Sequence, residues 1–269
     1  MITFPNAKIN LGLQILGKRE DNYHEISTCM YPIPVTDALE IIPSENSGFS
    51  SSGMAIPGKS ENNLILKAYH LLVADFPQLS PVQVHLHKNI PIGAGLGGGS
   101  ADAAFALSML NDIFALKIDK QKLKQYAARL GSDCPFFIEN QAQIATGRGE
   151  LLQPAAVKLS GNWLYLIHPG IHISTQEAYA GVQPVSGQKD LKEILKKPEN
   201  WKKDLDNDFE SSLFKKYPIL SVIKSSLYQA GAWYASMSGS GSSVFGLFSE
   251  EPKQLSFPDH YIQLRKALD

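Results

Sequence analysis

Pro91-Ile92-Gly93-Ala94-Gly95-Leu96-Gly97-Gly98-Gly99-Ser100, with Ala101-Asp102-Ala103-Ala104-Phe105-Ala106-Leu107 directly behind it, decides how the rest of the chain reads. Five of the seven residues from Gly93 to Gly99 are glycine, which suits neither a packed strand nor a helix interior. Glycine permits positive φ and lets a ligand reach the backbone without a Cβ in the way. The alanine-rich run reads as a helix, with Ser100 as its N-cap and Ala103, Leu107, Leu110 and Phe114 on one face. A glycine-rich turn opening a helix aims several backbone N–H groups, and the positive end of the macrodipole, at one point. That is an anion site, most often for phosphate. A flexible linker would carry polar residues and would not sit between an apolar strand and an apolar helix. Gly93, Gly95 and Gly98 satisfy the G-x-G-x-x-G spacing of a dinucleotide fold. That fold also needs an acidic residue about 20 positions on, closing the next strand. Here the distance lands near Asp119, between two predicted helices. No Lys-Ser or Lys-Thr follows the glycines, which excludes a Walker A loop.

The bulk properties narrow the classes further. A chain of 269 residues and 29.5 kDa allows one large domain or two ordinary ones. Hydrophobic residues at 43% and charged residues at 19% describe a soluble globular protein. A formal net charge of −1 gives no electrostatic case for nucleic acid or an anionic membrane. Cys29 and Cys134 make neither a disulfide framework nor a zinc pattern, which fits a reducing cytosol. Met1-Ile2-Thr3-Phe4-Pro5 lacks the basic region and apolar core of a signal peptide. No apolar run approaches the roughly 20 residues that span a bilayer. The expectation is a cytoplasmic protein with no nucleic-acid, membrane or obligate protein partner.

The first strand is expected over Ala7 to Leu16. Ile9, Leu11, Leu13 and Ile15 alternate with Lys8, Asn10, Gly12 and Gln14, so Lys8 and Asn10 point the same way. A turn over Gly17 to Asn22 leads to Tyr23-His24-Glu25-Ile26. Further strands are expected at Asp37 to Ile42, Val82 to His87 and Gln143 to Thr146. Phe136 to Glu139 reads as a strand-like piece, and Ser44 to Lys59 as a Ser/Gly-rich loop. Helices are expected at Asn63 to Ala74 and after Asp119, the second capped by that aspartate and stopped by Gly131. A second half begins with a strand at Trp163 to His168 and a short helix at Ser174 to Ala180. Gly181 to Lys197 is polar and unassigned. Helices at Phe209 to Lys215 and Pro218 to Gln229 precede strands at Ala232 to Met237 and Ser243 to Phe248. Strands and helices mix without regular βα alternation, so the class is α+β. A domain boundary is placed near residue 153, giving domains 1–152 and 153–269.

A phosphate loop needs a reaction partner. A kinase requires a positioned hydroxyl, a group to accept its proton, and cations around the transferring phosphoryl. Asp133, in Leu130-Gly131-Ser132-Asp133-Cys134-Pro135, suits that base and equally suits a cap on a short helical turn. Lysine is depleted in strands unless its head reaches solvent or a partner, and a lone strand lysine such as Lys8 is usually solvated. Tyr23 and His24 read alone as surface residues after a turn. Ser238-Gly239-Ser240-Gly241-Ser242 reads as a hairpin loop, or as a second loop converging on the same anion. His85 and His87 alternate on a strand without acidic or cysteine neighbours, so no metal site is read there.

The stretch from Pro91 to Ser100 resembles the central ATP-binding signature of the GHMP kinases, which include galactokinase, homoserine kinase, mevalonate kinase and phosphomevalonate kinase. Ala7-Lys8-Ile9-Asn10-Leu11, Asp21-Asn22-Tyr23-His24-Glu25-Ile26 and Leu130-Gly131-Ser132-Asp133-Cys134-Pro135-Phe136-Phe137 are similar to one branch of that family. That branch phosphorylates a cytidyl-diphospho polyol in the non-mevalonate route to isoprenoids. Asn207-Asp208-Phe209-Glu210 and Met237-Ser238-Gly239-Ser240-Gly241 extend the similarity nearly end to end. The resemblance implies an N-terminal domain like ribosomal protein S5 domain 2 and a ferredoxin-like C-terminal domain. It implies ATP with Mg²⁺, ATP binding by residues from Pro91 to Ala101, and a second phosphate-proximal loop at Ser238 to Gly241. It makes Asp133 the base and Lys8 the group that orients it and stabilises developing charge. It sets Tyr23, His24 and Tyr179 around the pyrimidine and Asn10 and Thr175 near the rest of the acceptor. Ala101 and Ser132 depart from the family's usual serine and alanine, and no metal ligand is assigned. A homoserine- or mevalonate-type kinase, or a non-catalytic ATP-binding regulator, remains the alternative.

Overall fold

The computed structural model describes residues 1–21, 23–182 and 189–269; Asn22 and residues 183–188 of the unassigned polar stretch lie outside the described residues. Two compact units emerge, each assembled from three separate stretches. The first comprises Met1–Ala7, Val35–Ile92 and Gly97–Gln141; the second comprises Lys8–Pro34, Gly93–Leu96 and Ala142–Asp269. The class is α+β, as expected.

In the first unit, four strands order as Ile2–Thr3, Ala38–Pro43, Val82–Lys88 and Gly48–Gly53. All pairs are antiparallel except the last. Helices Leu64–Asp75, Gly98–Ile113 and Lys120–Leu130 bury Leu72, Leu107, Leu110 and Leu123 together with Leu39, Ile41, Val84 and Leu86 of the sheet. Local chemistry explains two of these helices. Asn63 accepts the Ile65 N–H, and Asp119 accepts the Lys122 N–H, each satisfying a donor that the first turn leaves open.

Three expectations in this unit are corrected. Ser100 is not the N-cap of its helix: Gly97, at φ +69°, occupies that position with no side-chain cap, and Ser100 lies in the first turn. The segment Ser44 to Lys59 is not all loop, because Gly48–Gly53 runs parallel to Val82–Lys88 with Phe49 beside Val84. Its serines have weak strand preference, and the neighbouring ladder overrides it. Phe136–Glu139 is a single helical turn behind Pro135, ended by Asn140 at φ +52°.

In the second unit, Tyr234–Met237, Val244–Phe248, Asn162–His168 and Ile262–Leu268 form an antiparallel sheet in that order. Helices Glu210–Lys216 and Pro218–Gln229 contribute Leu213, Leu220, Ile223 and Leu227 to a core with Tyr165, Ile167 and Val244. Another sheet orders Asn6–Lys18, His24–Thr36, Gln143–Gly147 and Leu151–Pro154. The strand His24–Thr36, for which the sequence reading offers no element, pairs Ile26 to Met30 with Gly147 to Gln143, ahead of Pro32 and Pro34.

Candidate active site

The alternation in Asn6–Lys18 does not separate a wet face from a dry one. Residues Ala7 to Leu13 are all buried, and Lys8 and Asn10 are each only 3% exposed. Lys8 is therefore not the solvated lysine that strand statistics favour. Its ammonium donates to Asn10 Oδ1 and, at 3.0 Å, to the backbone oxygen of Gly95, while its own N–H donates to Leu96 O at 2.9 Å. Asn10 is held from the other side, its side-chain amide donating to Thr28 Oγ1 at 3.0 Å and its backbone N–H to Ser238 Oγ at 3.2 Å. A buried ammonium is costly unless hydrogen-bonded, and this arrangement fixes its position on a rigid strand.

The two glycine- and serine-rich loops meet backbone to backbone. Ser238 Oγ donates to Gly95 O at 2.8 Å, and Ser243 N–H donates to Ala94 O at 3.3 Å. Gly95 has φ +77°, and a Cβ there would lie 1.9 Å from Ser238 O. No other residue fits that approach. Gly239, at φ +54°, would place a Cβ 3.1 Å from Asn10 Oδ1 and 3.4 Å from Lys8 Nζ. Ser238 to Ser242 does join two antiparallel strands, as a hairpin loop would, but Ser238 is fully buried and spent on its neighbour loop. With the Ala94, Gly95 and Leu96 carbonyls all taken, the loop's shape is fixed before any ligand arrives.

Asn207 and Glu210 have no role assigned by the sequence alone, and the structure gives each one. Asn207, 2% exposed, donates from Nδ2 to both Met237 O and Gly239 O at 2.8 Å. Glu210 Oε1 accepts Met237 N–H at 2.7 Å and the Ser236 hydroxyl. Both hold the second loop. Their signal was there: a polar pair ahead of a helix whose apolar face is otherwise regular. Thr28, which holds Asn10, had no sequence signal.

Among the expected acceptor contacts, His24 and Tyr179 come together, stacked at 4.6 Å between centroids and 14° between planes. The rings touch, with no room for a third ring between them. Tyr179 also meets the edge of Phe209. Tyr23 is 55% exposed, and the Arg148 guanidinium lies 4.9 Å from its ring centroid. Thr175 is exposed at the start of helix Thr175–Ala180, which Ser174 caps by accepting the Glu177 N–H.

In the first unit, Asp133 is half-buried in the turn before Phe136–Glu139. The N-cap position of that helix is Pro135, which makes no side-chain cap bond, and Asp133 stands two residues ahead of it. Burial pushes the adjacent Cys134 thiol up to about 12, which keeps it protonated and unreactive. Gly98, Gly99 and Ser100 open the helix, where N–H groups without an intrahelical acceptor gather, and Ala101 N–H begins the ladder by donating to Gly97 O at 2.9 Å. His85 and His87 hydrogen-bond with Ser50 and Ser52 of the neighbouring strand. Among the described residues, no group of three or more His, Cys, Asp or Glu side chains is placed to hold a metal ion.

Residues 63–141 match the GHMP kinases N terminal domain, and residues 188–256 match the GHMP kinases C terminal domain. A 4-diphosphocytidyl-2-C-methyl-D-erythritol kinase from Cytophaga hutchinsonii is 56% identical, and the alignment covers 94% of each chain. One from Bacteroides fragilis is 52% identical over the same shares. A crystal structure of 4-(cytidine 5'-diphospho)-2C-methyl-D-erythritol kinase superposes with a TM-score of 0.80 at 33% identity, covering 92% of this chain and 90% of that one. Mevalonate kinase from Methanococcus jannaschii, at 12% identity and a TM-score of 0.67, shares the fold alone. The chain belongs to the GHMP kinases, within their 4-diphosphocytidyl-2-C-methyl-D-erythritol kinase family.

Proposed function

We propose that the protein transfers the γ-phosphoryl group of ATP to the C2 hydroxyl of 4-diphosphocytidyl-2-C-methyl-D-erythritol, giving the 2-phosphate and ADP. The observation that carries this reading is the meeting of Lys8, Gly95 and Ser238, where a rigid strand and two glycine-rich loops fix an ammonium beside a preformed phosphate loop. Such positioning, with electrostatic stabilisation, is nearly all that phosphoryl transfer asks of a protein. The bond from the γ-phosphorus to its bridging oxygen breaks as the acceptor oxygen bonds to phosphorus. Asp133 takes the hydroxyl proton, and Lys8 orients Asp133 and balances developing charge. The residues from Pro91 to Ala101 hold the nucleotide, with the loop at Ser238 to Gly241 as support. Mg²⁺ favours phosphate oxygens and water over protein cages, so it enters as part of the ATP complex.

Cytosine stacks against the His24–Tyr179 pair, with Tyr23 beside it, while Asn10 and Thr175 serve the rest of the acceptor. Asn10 acts chiefly by holding Lys8. We further propose a cytoplasmic setting, in keeping with freely diffusing nucleotide substrates. No helix among the described residues is long and apolar enough to cross a membrane. The test is a panel of acceptors offered with labelled ATP: the cytidyl-diphospho-erythritol compound, homoserine, mevalonate and galactose. Label should pass to the first alone. Preference for another acceptor would move the protein to a different branch, and nucleotide binding without transfer would make it a regulator.

A further inference from the structure

Lys88, Asp37 and Asp102 form a buried charge cluster that the roles above do not use. Lys88 ends the strand Val82–Lys88, Asp37 precedes Ala38–Pro43, and Asp102 opens the second turn of helix Gly98–Ile113. The ammonium bonds Asp37 Oδ2 and, at 2.7 Å, Asp102 Oδ2, and the three residues are 4%, 1% and 3% exposed in that order. Asp37 Oδ1 accepts the backbone N–H groups of Asn89 at 2.6 Å and Ile90 at 2.8 Å. A Cβ on Gly98 would stand 3.1 Å from Lys88 Nζ. The cluster thus grips the chain at both ends of the phosphate loop, just before Pro91 and at the first helical turn after it.

One lysine against two carboxylates leaves an excess negative charge when all three are ionised. Burial, with the charge of Asp37 adding to it against the opposing pull of Lys88, pushes the Asp102 carboxyl up to about 7. Asp102 Oδ1 is buried without a hydrogen-bond partner, which leaves an oxygen open to carry a proton. Lys88 and Asp37 are the charged groups acting on Asp102. The positive end of its own helix acts beside them.

We propose that this cluster positions the phosphate loop and that nucleotide binding is coupled to proton uptake by Asp102, whose buried Oδ1 is open to carry the proton. The inference rests on the reading of the loop as a nucleotide phosphate site. Phosphates seated on the first-turn N–H groups bring negative charge to the turn that precedes Asp102. Like charge disfavours an ionised carboxyl, so the ligand binds the form protonated at Asp102 more tightly and draws a proton in. Above the carboxyl's own titration, ATP affinity therefore falls as pH rises, by at most tenfold per pH unit for one linked proton.

Calorimetric titration of the full chain with a non-hydrolysable ATP analogue at pH 8, in two buffers of different ionisation enthalpy, counts that proton. Wild type should take up about half a proton per nucleotide, a fraction of the single linked site. Asp102→Asn, which keeps a one-to-one Lys88–Asp37 pair, should take up none and should bind with a flat pH profile. Nucleotide-induced infrared difference spectra of the wild type provide a readout that needs no variant: a band from a newly protonated buried carboxyl should appear. Equal proton counts for wild type and Asp102→Asn, or no carboxyl band, overturn the coupling while leaving the kinase reading intact. Absence of nucleotide binding by the wild type overturns the phosphate-loop reading and this inference with it.

Discussion

Lys8 and Lys88 are both strand lysines and both almost fully buried, at 3% and 4% exposure, yet they hold different parts of the chain. Lys88 bonds two carboxylates and, through Asp37, secures two backbone N–H groups. Lys8 bonds Asn10 Oδ1 and the backbone oxygen of Gly95, so a side-chain amide and the glycine loop's own main chain fix where its ammonium sits. Burial alone does not mark a lysine as reactive. What differs is the part of the chain each one holds: Lys88 ties the segment before the glycine loop to the helix after it, and Lys8 sits against the loop's own backbone oxygen at Gly95.

Removing the chemistry on the Lys8 side should have the largest effect. Asp133→Asn should lower kcat by about 10²–10⁴-fold with ATP affinity nearly intact, since general-base help is typically worth that much. Lys8→Ala should match it, and the double variant should be far from additive in single-turnover assays. A Lys8→Ala enzyme that turns over normally but unfolds early would erase the distinction between the two lysines.

Lys88→Met should show the opposite phenotype. It strands two buried carboxylates, which typically costs about 3–5 kcal/mol of stability. Urea denaturation would read this directly. A loss under about 1 kcal/mol, within the range of an exposed ion pair, would mean the cluster is effectively solvated.

The smallest expected effect sharpens the comparison from the acceptor side, where aromatic surface rather than charge is at work. Tyr179→Ala should raise KM for the cytidyl acceptor about 5- to 150-fold, from a stacking contact worth about 1–3 kcal/mol. Tyr179→Phe should be nearly silent, because it keeps the ring. Steady-state kinetics with both variants, beside their melting curves, would separate lost stacking from the lost packing on Phe209. An unchanged KM in Tyr179→Ala removes the ring pair from acceptor binding.

Where local chemistry decides, the sequence was legible. Asn63 and Asp119 cap helices because their side chains reach N–H groups two and three residues away. Gly131 ends the second of these helices as expected, and Pro218–Gln229 begins with proline in its first turn. Where a distant partner decides, it was not. The serine-rich strand Gly48–Gly53 exists because Val82–Lys88 offers it a ladder, and Ile262–Leu268 exists because Asn162–His168 does. The true start of the glycine-loop helix depends on Gly97 adopting positive φ, and glycine identity permits that without requiring it.

The sequence by itself determined that this protein carries a phosphate loop opening a helix, and through four short motifs it determined the kinase family. Both are written in residues adjacent in the chain, where glycine's backbone freedom and side-chain reach act over a few bonds. Only the tertiary structure decided that Lys8 is buried and held, that Ser238 closes on Gly95, and that Lys88 is spent on two aspartates. Asn10 and Ser238, which meet at 3.2 Å, lie 228 residues apart. A charge takes its meaning from everything within a few ångströms of it, and those neighbours are brought together by folding, not by chain order.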